Sequence, residues 1–322
     1  MSAIDFIRDF NHEDQNYNAP LFNAFVRYMS VQKLRTPKGL EAFVAQSNTK
    51  DRNETLVLLQ QMQDMYCATW TDCIWQIADA SESPTKFIIS DHPVTVYNRA
   101  CPHLSKYCVG ANDPDIRMNA THTCFPLSLD KILIMTNLSW VRDPYQNEVK
   151  FRPNSKLFRE TVFNFLAIQV GRKLKEDEVL QINLIMKRRA YRYIAAAEED
   201  WLYPERTVST DYWKKFGDGY LLMPEPRLIH MGGEIVIGYE GGGGQSFSPY
   251  GHTRGQVGFK DEKRERREAD ALRKFQAEWA VKHGAKYTAY NNDFGGKHRE
   301  DSAEMMADRK RVHDETRKQR RI

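Results

Sequence analysis

A chain of 322 residues that is 41% hydrophobic and 28% charged is long enough for one large domain or two modest ones, each with its own core. It holds no run of roughly 18 apolar residues and so offers no candidate membrane helix; its start, MSAIDFIRDFNHEDQ, lacks a basic segment leading into an apolar one, so a cytoplasmic protein with no membrane partner is expected. The net charge of +4 is uneven: from Arg254 onward 19 Lys/Arg face 13 Asp/Glu, against 28 and 30 in the rest, which puts the basic character in the tail.

In chain order, residues 17–34 place Leu21, Phe25, Tyr28, Met29 and Gln32 on one helical face, with Pro37 just after. A second helical pattern opens at Asn53-Glu54, carries Leu56, Leu59, Met62 and Tyr66, and runs on through Trp70 and Trp75 to the stop at Ser83-Pro84. Phe87 to Ser90 and Val94 to Tyr97 read as strands on either side of an Asp-His-Pro turn, and Ile132 to Met135 as a buried strand. Residues 154–203 are helical again, with one stripe of Phe158, Val162, Phe165, Leu166 and Gln169 and another of Leu180, Leu184, Ala190 and Tyr191. Beyond Pro204 the turn formers gather. Glu234 to Tyr239 is a short alternating strand, and the four glycines Gly241 to Gly244 read as a linker because they are costly to order. A charged helix is expected over 259–283, its apolar stripe formed by Leu272, Phe275 and Trp279, before a highly charged end. Long helices with few strands point to an α+β fold, a mostly helical domain with a small sheet. The expected division is an α+β domain over 1–205, a Pro/Gly-rich connection over 206–255 and a basic helical extension over 256–322.

Two groups of residues have the makings of a site. The run FIISDHPV ends a strand in Ser90, Asp91 and His92. A carboxylate there is held by the sheet and exposed at its rim, which suits a metal ligand or general base; the tetrapeptide Ser90-Asp91-His92-Pro93 also makes a sound turn, because Asp accepts backbone amides two residues on and the residue before proline is held extended. Cys101, His103, Cys108, His122 and Cys124 offer zinc five thiolate or imidazole ligands, although the gaps match no familiar ribbon or finger. Against a structural zinc stands the packing role of free cysteine, and five cysteines, an odd number, fit a reducing compartment better than disulphides. The glycine run lacks the Gly-Lys-Ser/Thr ending of a phosphate loop.

Several of these stretches occur together elsewhere. FVRYMSVQKLRTPKG, FIISDHPV, CFPLSLDKILIM and INLIMKRRAYRYIAAA, in that order, resemble the bacterial domain-of-unknown-function family 4238 over about residues 20–203. His92 stands where that family's pattern has Asn, and the pattern's upstream His-Tyr-x-Pro-like segment is absent. The resemblance implies a shared fold and no particular reaction, and it singles out Arg35, Ser90, Asp91 and Asn183 as motif positions for a polar cleft. The Cys/His set is not part of that pattern.

Two functions are consistent with this reading. One is a binding module whose basic tail, residues 254–322, contacts nucleic acid or a protein partner by electrostatic attraction. The other is a metal-dependent hydrolase or nuclease with Asp91 as ligand or base and Arg35 facing a phosphate-like charge. In either case the specific surface is expected where the strands around Asp91 meet the helix bearing Arg35.

Overall fold

The computed structural model describes residues 1–13, 18–47, 51–102, 105–109, 113–146, 150–151, 165–208, 212–229, 235–238, 244–248, 252–284, 286–287 and 299–300. The chain forms two compact units, one of Met1–Asn137 with Val149–Leu222 and one of Leu138–Glu148 with Met223–Ile322.

The first unit opens with four helices: α1 (Ala3–Arg8), α2 (Ala19–Leu34), α3 (Pro37–Ser47) and α4 (Arg52–Thr71). Three of their starts are fixed by short polar side chains that take up amides the helix leaves unpaired. Ser2 and Asp5 form a reciprocal capping box on α1, Asn18 accepts the Leu21 amide on α2, and Asp51 accepts those of Asn53 and Glu54 on α4. The strands β1 (Cys73–Asp79), β2 (Ile89–Ser90), β3 (Thr95–Asn98), β4 (Cys108–Val109), β5 (Asp113–Pro114), β6 (Thr121–Pro126) and β7 (Lys131–Asn137) follow. After the short α5 (Leu138–Arg142), which belongs to the second unit, come β8 (Gln169–Lys173), α6 (Glu176–Arg189) and β9 (Ile194–Ala195).

Five strands make the main sheet in the order β3-β6-β7-β1-β8, antiparallel except where β1 meets β8. Alternate residues of each strand face opposite sides, and both sides are covered. On one, Trp75, Ile77, Val96, Phe125, Leu133 and Met135 pack with Phe6, Phe22, Phe25, Met29 and Trp70 of the N-terminal helices; Phe22 and Trp75 rings lie 5.0 Å apart. On the other, Ala78, Tyr97, Cys124, Ile132 and Ile134 pack with Val179, Ile182 and Ile185 of α6 and with Trp213 and Phe216. The fold is therefore α+β with one small sheet, as long helices with few strands predict.

The element boundaries differ from the sequence expectation in four places, one of them the end of α6 at Arg189, which leaves Ala190 and Tyr191 of the expected helical stripe beyond it and Ile194–Ala195 in strand β9. The second helix stops at Thr71, and Trp75 lies on β1 in the middle of the sheet. A strand buried on both faces reads as a continuous apolar run, which periodicity alone cannot separate from a helix. Gln169, assigned to a helical stripe, opens strand β8, while Phe158 and Val162 lie outside the described residues. The two strands flanking the Asp-His-Pro turn do not pair with each other: β2 pairs with β9 and β3 with β6.

In the second unit, α7 (Glu262–His283) buries Leu272, Phe275 and Trp279, the stripe expected from the sequence. Trp279 Nε1 donates to Glu225 Oε2 at 2.7 Å, and Tyr145 donates to Glu278 at 2.9 Å. The strand expected at 234–239 is present as β10 (Ile235–Gly238), paired with β11 (Gly244–Phe247). Among the described residues no helix is long and apolar enough to cross a membrane.

Candidate functional site

The C-terminal turn of α2 places a lysine where an apolar residue is expected. Phe22, Val26 and Met29 form the buried stripe, and Lys33 continues it, only 4% exposed. Thr36 then starts α3: its hydroxyl oxygen accepts the Gly39 amide at 3.1 Å, and Pro37 occupies the first helical position, where its missing N–H is not needed. Gly39 is required there, because a Cβ on it would overlap the Lys33 carbonyl oxygen. The tight corner brings Lys38, also buried, back beside Lys33.

The turn after β2 supplies the third side chain. Asp91 accepts the backbone amides of Tyr191, Arg192 and Tyr193 at 3.0, 2.8 and 3.2 Å, and the Ser90 hydroxyl accepts the His92 amide at 3.2 Å. So braced, the turn holds His92 inward, 1% exposed. Asn183 on α6 braces the preceding segment, accepting the Ile88 amide and donating to the Lys86 carbonyl.

Asp113, the first residue of β5, is the shared acceptor. Its carboxylate is bonded by Lys33, by Lys38 Nζ at 2.7 Å and by His92 Nε2 at 2.8 Å. His92 Nε2 also lies 2.7 Å from Lys33 Nζ, so this nitrogen stands between an ammonium that only donates and a carboxylate that only accepts. His92 Nδ1 is hydrogen-bonded to Thr36 Oγ1 at 2.7 Å. Lys33 also reaches the Val94 carbonyl at 3.2 Å, and Lys38 the Arg189 carbonyl at 2.6 Å. One carboxylate thus joins α2, α3, the turn after β2 and β5.

Burial and neighbouring charge set the protonation. Desolvation draws the Lys33 ammonium down to about 8 against the pull of Asp113. Desolvation, reinforced by the Lys33 charge, draws His92 down to about 4, so it is neutral at pH 7. Burial by itself would raise Asp113; Lys33, the His92 hydrogen bond and Lys38 outweigh it and hold the carboxyl well below its ordinary range. A cavity of about 70 Å³ opens beside this cluster. Lys33, Lys38, His92 and Asp113 form its polar wall, Phe43, Met62, Met65 and Tyr66 its apolar one, and the Asp115–Arg117 pair adds one charge of each sign. Positive charge is in excess.

The sequence profile of the family described as "Protein of unknown function (DUF4238)" matches residues 6–200. The chain belongs to that family. No curated protein and no solved structure matches it. Lys33, Thr36, Lys38, His92, Asp113 and Arg189 all fall inside the segment shared with DUF4238, whereas α7 lies beyond it.

Of the four motif residues expected to act, Ser90, Asp91 and Asn183 hold backbone in place around the cluster, and Arg35 caps α2 on the exposed side. The Cys/His set is dispersed. His122 and Cys124 lie on β6, facing the side of the sheet covered by α6, with His122 against the Thr136 hydroxyl at 3.0 Å. Cys101 and Cys108 lie together beside Arg189, and His103 is outside the described residues. Among the described residues no three His, Cys, Asp or Glu side chains are grouped so as to hold a metal ion. The basic cluster on α7 is partly neutralised: Arg264 pairs with Glu268 at 2.8 Å and Arg267 with Asp143 at 3.5 Å, while Arg309 to Arg321 lie outside the described residues.

Proposed function

We propose that this DUF4238 protein uses the cavity beside Lys33 and Lys38 to bind a small molecule through an anionic group, a carboxylate or phosphate, with an apolar portion against Met62, Met65 and Phe43. The observation that carries this reading is two buried lysines sharing a single carboxylate at the wall of a cavity. Each ammonium has three N–H donors. Lys38 gives one to Asp113 and one to the Arg189 carbonyl, whereas Lys33 meets Asp113, the Val94 carbonyl and, at 2.7 Å, His92 Nε2. Lys38 therefore keeps a donor for an incoming oxyanion. A volume of about 70 Å³ corresponds to on the order of five water positions, the size of an anionic head group rather than of a whole drug-sized ligand. A cluster built only to tie segments together would gain nothing from an excess of cations.

Thermal unfolding of the full chain with inorganic phosphate, hexanoate and hexanol, each against matched chloride, tests the reading. A ligand at ten times its dissociation constant stabilises the native state by about 1.4 kcal/mol, a rise of roughly 3–6 °C for a unit of this size. The anions are expected to give that rise and hexanol none, and Lys38→Met is expected to abolish it. Equal melting temperatures in phosphate, hexanoate and chloride would refute it.

A further inference from the structure

Behind the lysine cluster, two thiols meet. Cys101 is fully buried beside Cys108, which opens β4 and is only half-buried; the Cys101 thiol lies 4.0 Å from Met118 Sδ and the Cys108 thiol 3.6 Å from the Pro102 carbonyl. The Arg189 guanidinium holds both: Nη1 lies 3.9 Å from Cys108 Sγ, and Nη2 donates to the Cys101 carbonyl. Arg189 is itself fixed, 1% exposed and stacked 4.6 Å from the Trp213 ring. The other cysteines have no such setting. Cys124 and Cys67 are buried among apolar side chains, and burial pushes their thiols up to about 12 and about 11; Cys73, the first residue of β1, donates to the Thr69 carbonyl of α4.

We propose that Cys101 and Cys108 form a redox-active dithiol that hydroperoxides oxidise reversibly to an intramolecular disulphide. Cys108 is the sulphur that reacts first, because it alone combines partial exposure with a neighbouring guanidinium and a thiol donor, the setting that favours thiolate. Its hydrogen bond from Cys101 and the Arg189 charge draw it down to about 6 even though burial opposes them. The thiolate attacks one peroxide oxygen; the O–O bond breaks, an S–O bond forms, and the departing alkoxide or hydroxide takes a proton to leave as alcohol or water. Cys101 then attacks the sulphenic sulphur, the S–S bond forms, and the hydroxyl leaves with the Cys101 proton as water. Two electrons pass from the two thiols to the peroxide, and a dithiol reductant restores them. The bond would bear on the lysine cluster directly, since β4 pairs with β5 so that Cys108 lies opposite Pro114 and Val109 opposite Asp113. This proposal stands apart from the anion reading and does not need it.

The test oxidises the full-length protein with stoichiometric hydrogen peroxide near neutral pH, blocks the remaining thiols, and maps the cysteines by mass spectrometry. The expected product is a Cys101–Cys108 link, reversed by dithiothreitol, with Cys67, Cys73 and Cys124 still alkylated after unfolding. Cys101→Ser is expected to stop at a Cys108 sulphenic acid that a cyclic 1,3-diketone captures. Cys108→Ser is expected to slow peroxide consumption by about ten-fold or more, with circular dichroism verifying that each variant is folded. Three outcomes overturn the proposal: both thiols remain free, the link forms between other cysteines, or zinc is bound to the pair and shields it until a chelator is added.

Discussion

Acid should unfold this protein earlier than its carboxylates alone would require, and His92 shows by how much. In the folded chain His92 faces Lys33, Lys38 and Asp113 and is drawn down from 6.5 to about 4. Unfolded, it takes a proton near 6.5, so between pH 6.5 and 4 the unfolded state binds more protons and stability falls as pH falls. A tenfold difference in proton affinity between the two states is worth about 1.4 kcal/mol, so the loss from His92 approaches about 3 kcal/mol by pH 4, with a slope of about 1.4 kcal/mol per pH unit. His122, drawn down to about 3 by burial and the Arg99 charge, adds a second slope of the same sign. The Asp113 contribution is retained until pH falls below its ordinary value of 3.8. Urea unfolding of the wild type and of His92→Asn at pH 7, 6 and 5 separates these contributions. Asn keeps a donor for Asp113 and an acceptor for Thr36 but does not titrate. The variant is expected to be less stable at pH 7 and, between pH 7 and 5, to lose about 1 kcal/mol less per pH unit than the wild type. Parallel stability curves would show that His92 is not held neutral, and the electrostatic account of the cluster would fail with it.

Two further substitutions probe how the cluster is built. Asp113→Asn leaves Lys33 and Lys38 buried side by side without a counter-charge and is expected to destabilise the protein by about 3–5 kcal/mol, read by urea unfolding at pH 7; adding Lys33→Met should recover part of that loss. Gly39→Ala drives a methyl group into the Lys33 carbonyl and is expected to cost more than about 2 kcal/mol and to weaken anion binding as the α2–α3 corner opens. An unchanged melting temperature in Gly39→Ala would show that the corner is looser than described.

The sequence carries the fold well and the site only in outline. α2, the strand at Ile132–Met135 and α7 follow from periodicity and caps because one face of each is polar, or because the apolar run is short and bounded by turn residues. β1 is hidden because both its faces are buried. The resemblance to DUF4238 points to the right turn and the right helix end, but to residues one or two positions from the cluster. Asp91 and Arg35 stand out by charge and exposure, whereas Lys33, Lys38 and His92 are inward-facing. One signal is readable: Lys33 completes the 22-26-29-33 spacing of the α2 stripe, and a lysine at a core position needs a buried partner. Its partner, Asp113, sits in a two-residue strand with no pattern of its own, and Arg189 is recognisable only once α6 is packed.

Why the chain keeps charges at this place can be tested by removing them together. Well-packed apolar residues in place of a buried ion cluster are often neutral or stabilising by about 1–4 kcal/mol, because the attraction between the charges must first repay their desolvation. Lys33 already shows that imbalance, its ammonium drawn down to about 8 despite direct contact with Asp113. The triple variant Lys33→Met, Lys38→Met, Asp113→Leu retains the bulk at each position and leaves no orphaned charge. If the cluster only fastens α2, α3 and β5 together, the triple variant should be less stable than the wild type. If it is kept for an anion, stability should hold or rise while the stabilisation by phosphate and hexanoate disappears. Stability and binding moving in opposite directions is the pattern expected of a site, and a joint fall of both would mark these residues as scaffold.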